Sequence, residues 1–152
     1  MIIRILKKGS RNQLVCIRDN GSTEISNPGP SLPFHDLAHY VVEKHLNFQQ
    51  GFYGNIAAGY SVQQLSDKNV IRTLPPESLV AEILTRALQS VHAGAVSAEQ
   101  YTELVQQEFA LWSLEFTIPH ADSLEKMQER YEELIQRWNM LEDGQSIELE
   151  WT

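Results

Sequence analysis

The residues best suited to chemistry are two histidines four apart, His35 and His39, with Asp36 between them and Glu43 four residues further on. Residues four apart share one face of a helix, so both imidazoles could bind a single divalent metal ion such as zinc, iron or manganese. Asp36 takes the place of the glutamate in the H-E-x-x-H zinc signature, with a side chain one methylene shorter. The pattern predicts His35 and His39 as metal ligands, and Asp36 or Glu43 as a catalytic base or a partner that orients a ligand.

Helix geometry limits how many of these residues can bind one ion. The Cα atoms of His35 and Glu43 would be ~12 Å apart at about 1.5 Å rise per residue. A ligand atom lies roughly 2 Å from its metal, so an unbroken helix offers His35 with His39, or His39 with Glu43. A third ligand must come from elsewhere, and the candidates are His92, His120, Glu82, Glu108 and Glu115.

The same residues also permit a purely structural interpretation. His39 and Glu43 could form an ordinary i,i+4 pair, and Asp36 could cap its own helix. On a helical wheel, Asp36 and Glu43 lie beyond the edge of the apolar face, toward polar surroundings. Two hypotheses follow: a metal-binding protein or metal-dependent hydrolase, or a non-catalytic interaction protein whose acidic C-terminal helices present a surface to a partner.

Composition favours one globular domain over residues 1–152, with 42% apolar and 21% charged residues. No apolar run is long enough to cross a bilayer, and the N-terminus lacks a signal-peptide pattern, so we expect no membrane association. The single cysteine, Cys16, excludes an intramolecular disulfide and suits a reducing cytoplasm. Residues 97–152 carry thirteen acidic and three basic side chains, which argues against nucleic-acid binding.

The two chain ends are predicted to share one sheet. Asn20-Gly21 is a strong hairpin pattern between apolar alternating segments. The last alternating segment has no local partner, so it should pair with the N-terminal meander. Asn27-Pro28-Gly29-Pro30 should end the meander, and Ser31 should cap the following helix. The predicted strands cover residues 2–7, 13–18, 23–26 and 147–151.

Helices should fill the remainder, giving an α+β fold in which a small antiparallel sheet packs against four or five helices. The predicted helices cover residues 32–48, 52–58, about 79–93, 98–117 and 119–143, while residues 60–69 are irregular or a short helical turn. The last helix carries an apolar seam with alternating spacings of three and four. We expect this seam to pack antiparallel on the preceding helix, and self-association into a homodimer is the alternative. The seam residues are Leu124, Met127, Tyr131, Leu134, Trp138 and Leu141.

Residues 33–59 resemble a family of uncharacterised bacterial proteins. The resemblance is carried by an H-D-L-x-H-Y-x-V-E helix over residues 35–43 and a G-F-x-G-x-x-A-x-G segment over residues 51–59, after a hairpin. It implies no particular activity. The H-D-x-x-H core is also similar to the metal motif of a ubiquinone-biosynthesis family, which carries a further glutamate where this chain has Gly51.

Overall fold

The computed structural model describes residues 1–27 and 32–152, and it confirms the predicted α+β fold. A four-stranded antiparallel sheet contains β1 (Ile2–Leu6), β2 (Gln13–Ile17), β3 (Thr23–Ser26) and β4 (Ser146–Glu150). The spatial order is β3-β2-β1-β4, so the C-terminal strand pairs with β1 as expected. The predicted turn at residues 28–30 and the predicted cap at Ser31 lie outside the described residues.

Alternation along each strand gives the sheet one buried face. Ile3 and Ile5 of β1 face the core together with the inward residues of β2 and β4. On the opposite face Arg4 lies across from Glu148 in the β1–β4 register, and the guanidinium donates two hydrogen bonds to that carboxylate. Cys16 of β2 is also buried on the inner face.

Seven helices occur within the described part of the chain. They are α1 (Leu32–His45), α2 (Phe52–Ala57), α3 (Val62–Leu65), α4 (Lys68–Ile71), α5 (Pro76–His92), α6 (Ala98–Leu111) and α7 (Ala121–Met140). The short helices α3 and α4 fall largely in the segment predicted to be irregular or a helical turn. Helix α6 ends at Leu111, earlier than predicted, with Trp112 at its C-terminal boundary.

The interior helices are α1, α5 and α7. Helix α1 packs along both α5 and α7, and α5 also contacts α6. The prediction that the last helix packs on the preceding one is therefore wrong, because the seam of α7 faces α1 and α5 instead. Tyr131 of that seam donates a hydrogen bond to the backbone carbonyl of Phe34, which joins α7 to the start of α1.

None of the helices in the described ranges combines the length and hydrophobicity that a membrane span requires. The buried apolar residues of the sheet and of α1, α5 and α7 form one continuous core. The face of α1 that carries the histidines meets α5, and this contact builds the candidate site.

Candidate metal centre

Two helices position the three side chains that could hold a metal ion. His35 and His39 come from α1, and Glu82 comes from α5, where the two helices pack against each other. One ligand atom from each lies within 4.8 Å of the other two. Both ligand pairs that the helix geometry allowed lie close together, but the converging group contains His35 and His39, and Glu82 is the candidate that completes it.

The carboxylate of Glu82 is shared between both imidazoles. Glu82 Oε2 lies 3.0 Å from Nε2 of His39 and 3.6 Å from Nε2 of His35. Ligands about 2 Å from a tetrahedral zinc ion would lie about 3.3 Å from one another. The spacing found between the nitrogen and oxygen atoms is therefore close to that of an ion's coordination shell.

Glu43 is not part of this group but contacts the other ring nitrogen of His39, Nδ1. Its side chain is fully buried, and Oε1 lies 3.0 Å from Nδ1 of His39. The same carboxylate accepts hydrogen bonds from the backbone N–H groups of Phe52 and Tyr53 at 2.7 and 3.0 Å. Thus α2 and α1 both meet this carboxylate, and the polar surroundings that the helical wheel predicted for Glu43 are buried N–H groups and not solvent.

Gly51 makes this arrangement sterically feasible. A Cβ atom at this position would collide with the carboxyl group of Glu43. Gly51 is the N-terminal boundary residue of α2, and its absent side chain lets the carboxylate reach the first N–H groups of that helix. The glycine at the start of the G-F-x-G segment thus supports the histidine motif eight residues before it.

His35 is oriented by a different partner on α5. Its Nδ1 atom lies 2.7 Å from Oε1 of Gln89, and the Gln89 amide nitrogen lies 3.5 Å from the hydroxyl of Tyr131. An amide oxygen accepts, so Nδ1 of His35 carries the proton and Nε2 presents its lone pair. Each histidine therefore has an acceptor at Nδ1 and leaves Nε2 directed toward Glu82, as in a metal site whose surrounding groups select the tautomer.

The two carboxylates around His39 favour a cation at this position. A neutral imidazole has one N–H and one lone pair, yet His39 faces a carboxylate at both nitrogens, Glu43 and Glu82. Burial lowers the pKa of His39, but the hydrogen bonds to Glu43 and Glu82 outweigh it and raise that pKa to about 9. Burial likewise opposes ionisation of Glu82, but the neighbouring imidazoles of His35 and His39 outweigh it and hold the pKa of Glu82 well below the ordinary value. Either a proton or a metal ion can occupy the space between Nε2 and Glu82.

Asp36 lies outside the converging group. It is buried, and its Oδ2 atom has no hydrogen-bond partner among residues 1–27 and 32–152. Burial raises the pKa of Asp36 to about 6, against the opposing influence of His39 and His35. The expectation that Asp36 faces polar surroundings is therefore wrong.

Sequence reasoning missed two residues of α5 that support the site. Thr85 is fully buried with its hydroxyl 3.3 Å from Nδ1 of His39, and Gln89 contacts His35. With Glu82 they follow helical spacings of three and four, so they form a polar stripe beside the apolar stripe of α5. That stripe is the pattern that could have identified them, and it also distinguishes Glu82 from His120, Glu108 and Glu115, whereas His92 continues the same spacing on α5.

A cavity of about 760 Å³ opens beside this group. His39 and Glu82 line it, together with residues of α2, α4, α5 and the segment that follows α6. The side chain of Glu82 is 39% exposed and that of His39 only 5%. A molecule in the cavity can therefore reach the group at Glu82, whereas the ring of His39 lies in the protein interior.

Comparisons with protein-family models, curated proteins and solved structures found no match for this chain. The resemblance to a bacterial family stays a prediction, and the function is argued from the geometry.

Proposed function

We propose that this protein binds one divalent transition metal ion through Nε2 of His35, Nε2 of His39 and a carboxylate oxygen of Glu82. The observation that carries the proposal is that His35, His39 and Glu82 each place one ligand atom within 4.8 Å of the other two. Two imidazoles and one carboxylate are the ligand set of several zinc hydrolases and non-haem iron enzymes. Glu43 and Gln89 are the partners that orient the two rings.

A metal ion explains the arrangement better than a proton. The rings of His35 and His39 lie with centroids 4.7 Å apart, so protonating both would place two imidazolium charges side by side. One ion of charge +2 interacts with both lone pairs and with Glu82 at the same time. The proton-only alternative is a structural role in which His39 alone is charged between Glu43 and Glu82.

The chemistry proposed for the site is metal-assisted hydrolysis. Three protein ligands would leave at least one coordination position for water, and a zinc ion held there would lower the pKa of that water to about 7. Of the two carboxylates that could act as a base, Asp36 and Glu43, Glu43 already accepts hydrogen bonds from three N–H groups, so we assign it the positioning of His39. The cavity beside Glu82 provides space for a substrate at the open position.

Metal analysis of protein purified without a histidine tag tests the binding. We expect about one equivalent of zinc, iron or manganese, and its loss in His39→Ala and in Glu82→Gln. His45→Ala is the matched control, because His45 lies on the same helix but is exposed and contacts Ser123 instead. Wild-type protein that takes up no metal from zinc, iron(II) or manganese solutions would contradict the proposal.

Hydrolysis is tested separately with a panel of aryl carboxylate and phosphate esters. The metal-loaded wild type should hydrolyse at least one class faster than Glu82→Gln at equal protein concentration. Equal rates for the two proteins across the panel would contradict a hydrolytic role and leave a metal-binding protein.

A further inference from the structure

The walls of the cavity beside Glu82 are largely apolar. Leu65, Ile71, Leu79 and Trp112 line it from α3, α4, α5 and the end of α6. Ile71 and Trp112 are large apolar side chains that are 45% and 55% exposed at this cavity. The volume of about 760 Å³ lies within the range of small-molecule sites, roughly 300–1,000 Å³. These features fit the apolar body of a small ligand.

Two cations line the same cavity. Lys68 lies on α4 and Arg72 directly follows that helix, four residues later. Both are exposed, and neither forms an ion pair with a carboxylate in the described ranges, although the chain has a net charge of −8. Like charges four apart on a helix repel slightly. An anionic group bound between them would remove that repulsion.

We propose that the cavity binds a small amphipathic anion, with its apolar body against Leu79 and Trp112 and its carboxylate, sulfonate or phosphate group at Lys68 and Arg72. The inference rests on the proposed metal centre, since the ligand end near His39 and Glu82 would be the reacting end. The substrates that fit this cavity are therefore apolar molecules that carry a negative charge. Cationic or strongly polar molecules are not expected to be substrates.

Two fluorescent probes that differ in one group test this inference. Anilinonaphthalene sulfonate has an apolar aromatic body and a negative charge, and N-phenyl-1-naphthylamine has a closely similar body without the charge. We expect wild-type protein to bind the anionic probe at least about tenfold more tightly, as one pair of charge-assisted contacts allows. Equal affinity for the two probes would overturn the inference.

Charge variants test whether the anionic group of the probe binds at Lys68 and Arg72. Lys68→Gln with Arg72→Gln should abolish the preference, and the corresponding double change to glutamate should reverse it. Lys8→Gln with Arg11→Gln is the control, because it removes the same two charges from exposed residues that do not line the cavity. A preference that persists in the glutamate double variant, with an unchanged far-ultraviolet circular dichroism spectrum, would overturn the inference.

The titrations are run on chelator-treated protein and again with added zinc, which separates the two proposals. Zinc uptake without charge preference overturns the ligand inference and leaves the metal centre standing. Charge preference without zinc uptake overturns the metal centre, and with it the assignment of the cavity ligand as a substrate.

Discussion

His39 is the residue on which the candidate site depends, because each of its ring nitrogens faces a carboxylate. Glu43 Oε1 and Glu82 Oε2 both lie 3.0 Å from it, one at Nδ1 and the other at Nε2. A buried charge is costly unless it is paired, so the cation that these carboxylates share is part of the folded state. The chemistry of the site follows from whether that cation is a proton or a metal ion.

The pKa of His39 predicts how the metal-free protein responds to pH. Its pKa is raised from 6.5 to about 9, so its protonated form is stabilised by folding. The stabilisation is fully present below pH 6.5 and is lost as pH rises through about 9, by at most about 3 kcal/mol at 1.36 kcal/mol per pKa unit. Urea unfolding in chelator at several pH values between 6.5 and 9 should show this fall.

Zinc should abolish that dependence, because metal and proton compete for Nε2. With saturating zinc neither the folded nor the unfolded state carries a proton on His39 above about pH 7, so the free energy of unfolding should stay nearly constant. The fall seen in chelator should be absent in His39→Gln and retained in His45→Ala. A wild-type stability that is flat from pH 6.5 to 9 in chelator would show that Glu43 and Glu82 do not hold a proton on His39.

Glu43→Gln tests the orienting role of the buried carboxylate. The amide keeps the size of the side chain but presents an NH₂ group where a carboxylate oxygen accepts a hydrogen bond. Loss of such an orienting partner lowers metal affinity by about 10–100-fold. Zinc titration should show this decrease, whereas Glu129→Gln, at an exposed position on α7, should bind as the wild type does. Unchanged zinc affinity in Glu43→Gln would show that Glu43 does not orient His39 for metal binding.

At the scale of elements, the packing of α1 on α5 and the approach of α2 build the centre. Local patterns predicted the strands, the hairpin and most helices, because alternation and apolar spacing reflect which face of each element is buried. The histidine pair was also predictable, since its spacing is a property of one helix. The third ligand was not, because Glu82 lies 43 residues after His39 and only the α1–α5 contact selects it.

Burial of Glu43 could not be predicted for a related reason. A helical wheel describes the apolar face of α1 alone, and it contains no information about the backbone N–H groups of α2 that cover this carboxylate. The wrong partner predicted for α7 has the same origin. Its seam was identified correctly, but a seam does not specify which of several apolar helices it meets.

The contact between α1 and α2 predicts contrasting effects for two glycines of one segment. Gly51→Ala places a Cβ against the Glu43 carboxyl group and should lower both zinc affinity and melting temperature. Gly54→Ala places its Cβ against the backbone carbonyl of Gln49 and should lower stability without changing zinc stoichiometry in the folded protein. Equal zinc affinities of Gly51→Ala and wild type would show that the backbone at residue 51 shifts to accommodate the methyl group and leaves Glu43 in place.

For the whole molecule, the site exists only when the chain is folded, since its ligands come from two helices separated by several shorter elements. Metal that binds the folded state alone stabilises it by about 2.7 kcal/mol at a free concentration 100 times Kd. For a chain of this length that is about 5–10 °C in melting temperature. Differential scanning calorimetry should show this rise for the wild type and for His45→Ala, but not for Glu82→Gln.

A crystal structure of the zinc-loaded protein, with anomalous differences measured at the zinc edge, tests the metal centre most directly. We expect one strong peak about 2 Å from Nε2 of His35, Nε2 of His39 and a carboxylate oxygen of Glu82, with Nδ1 of His39 still donating to Glu43. A fully occupied zinc peak elsewhere, such as at the exposed His92–Glu132 pair, with none between α1 and α5, would contradict it.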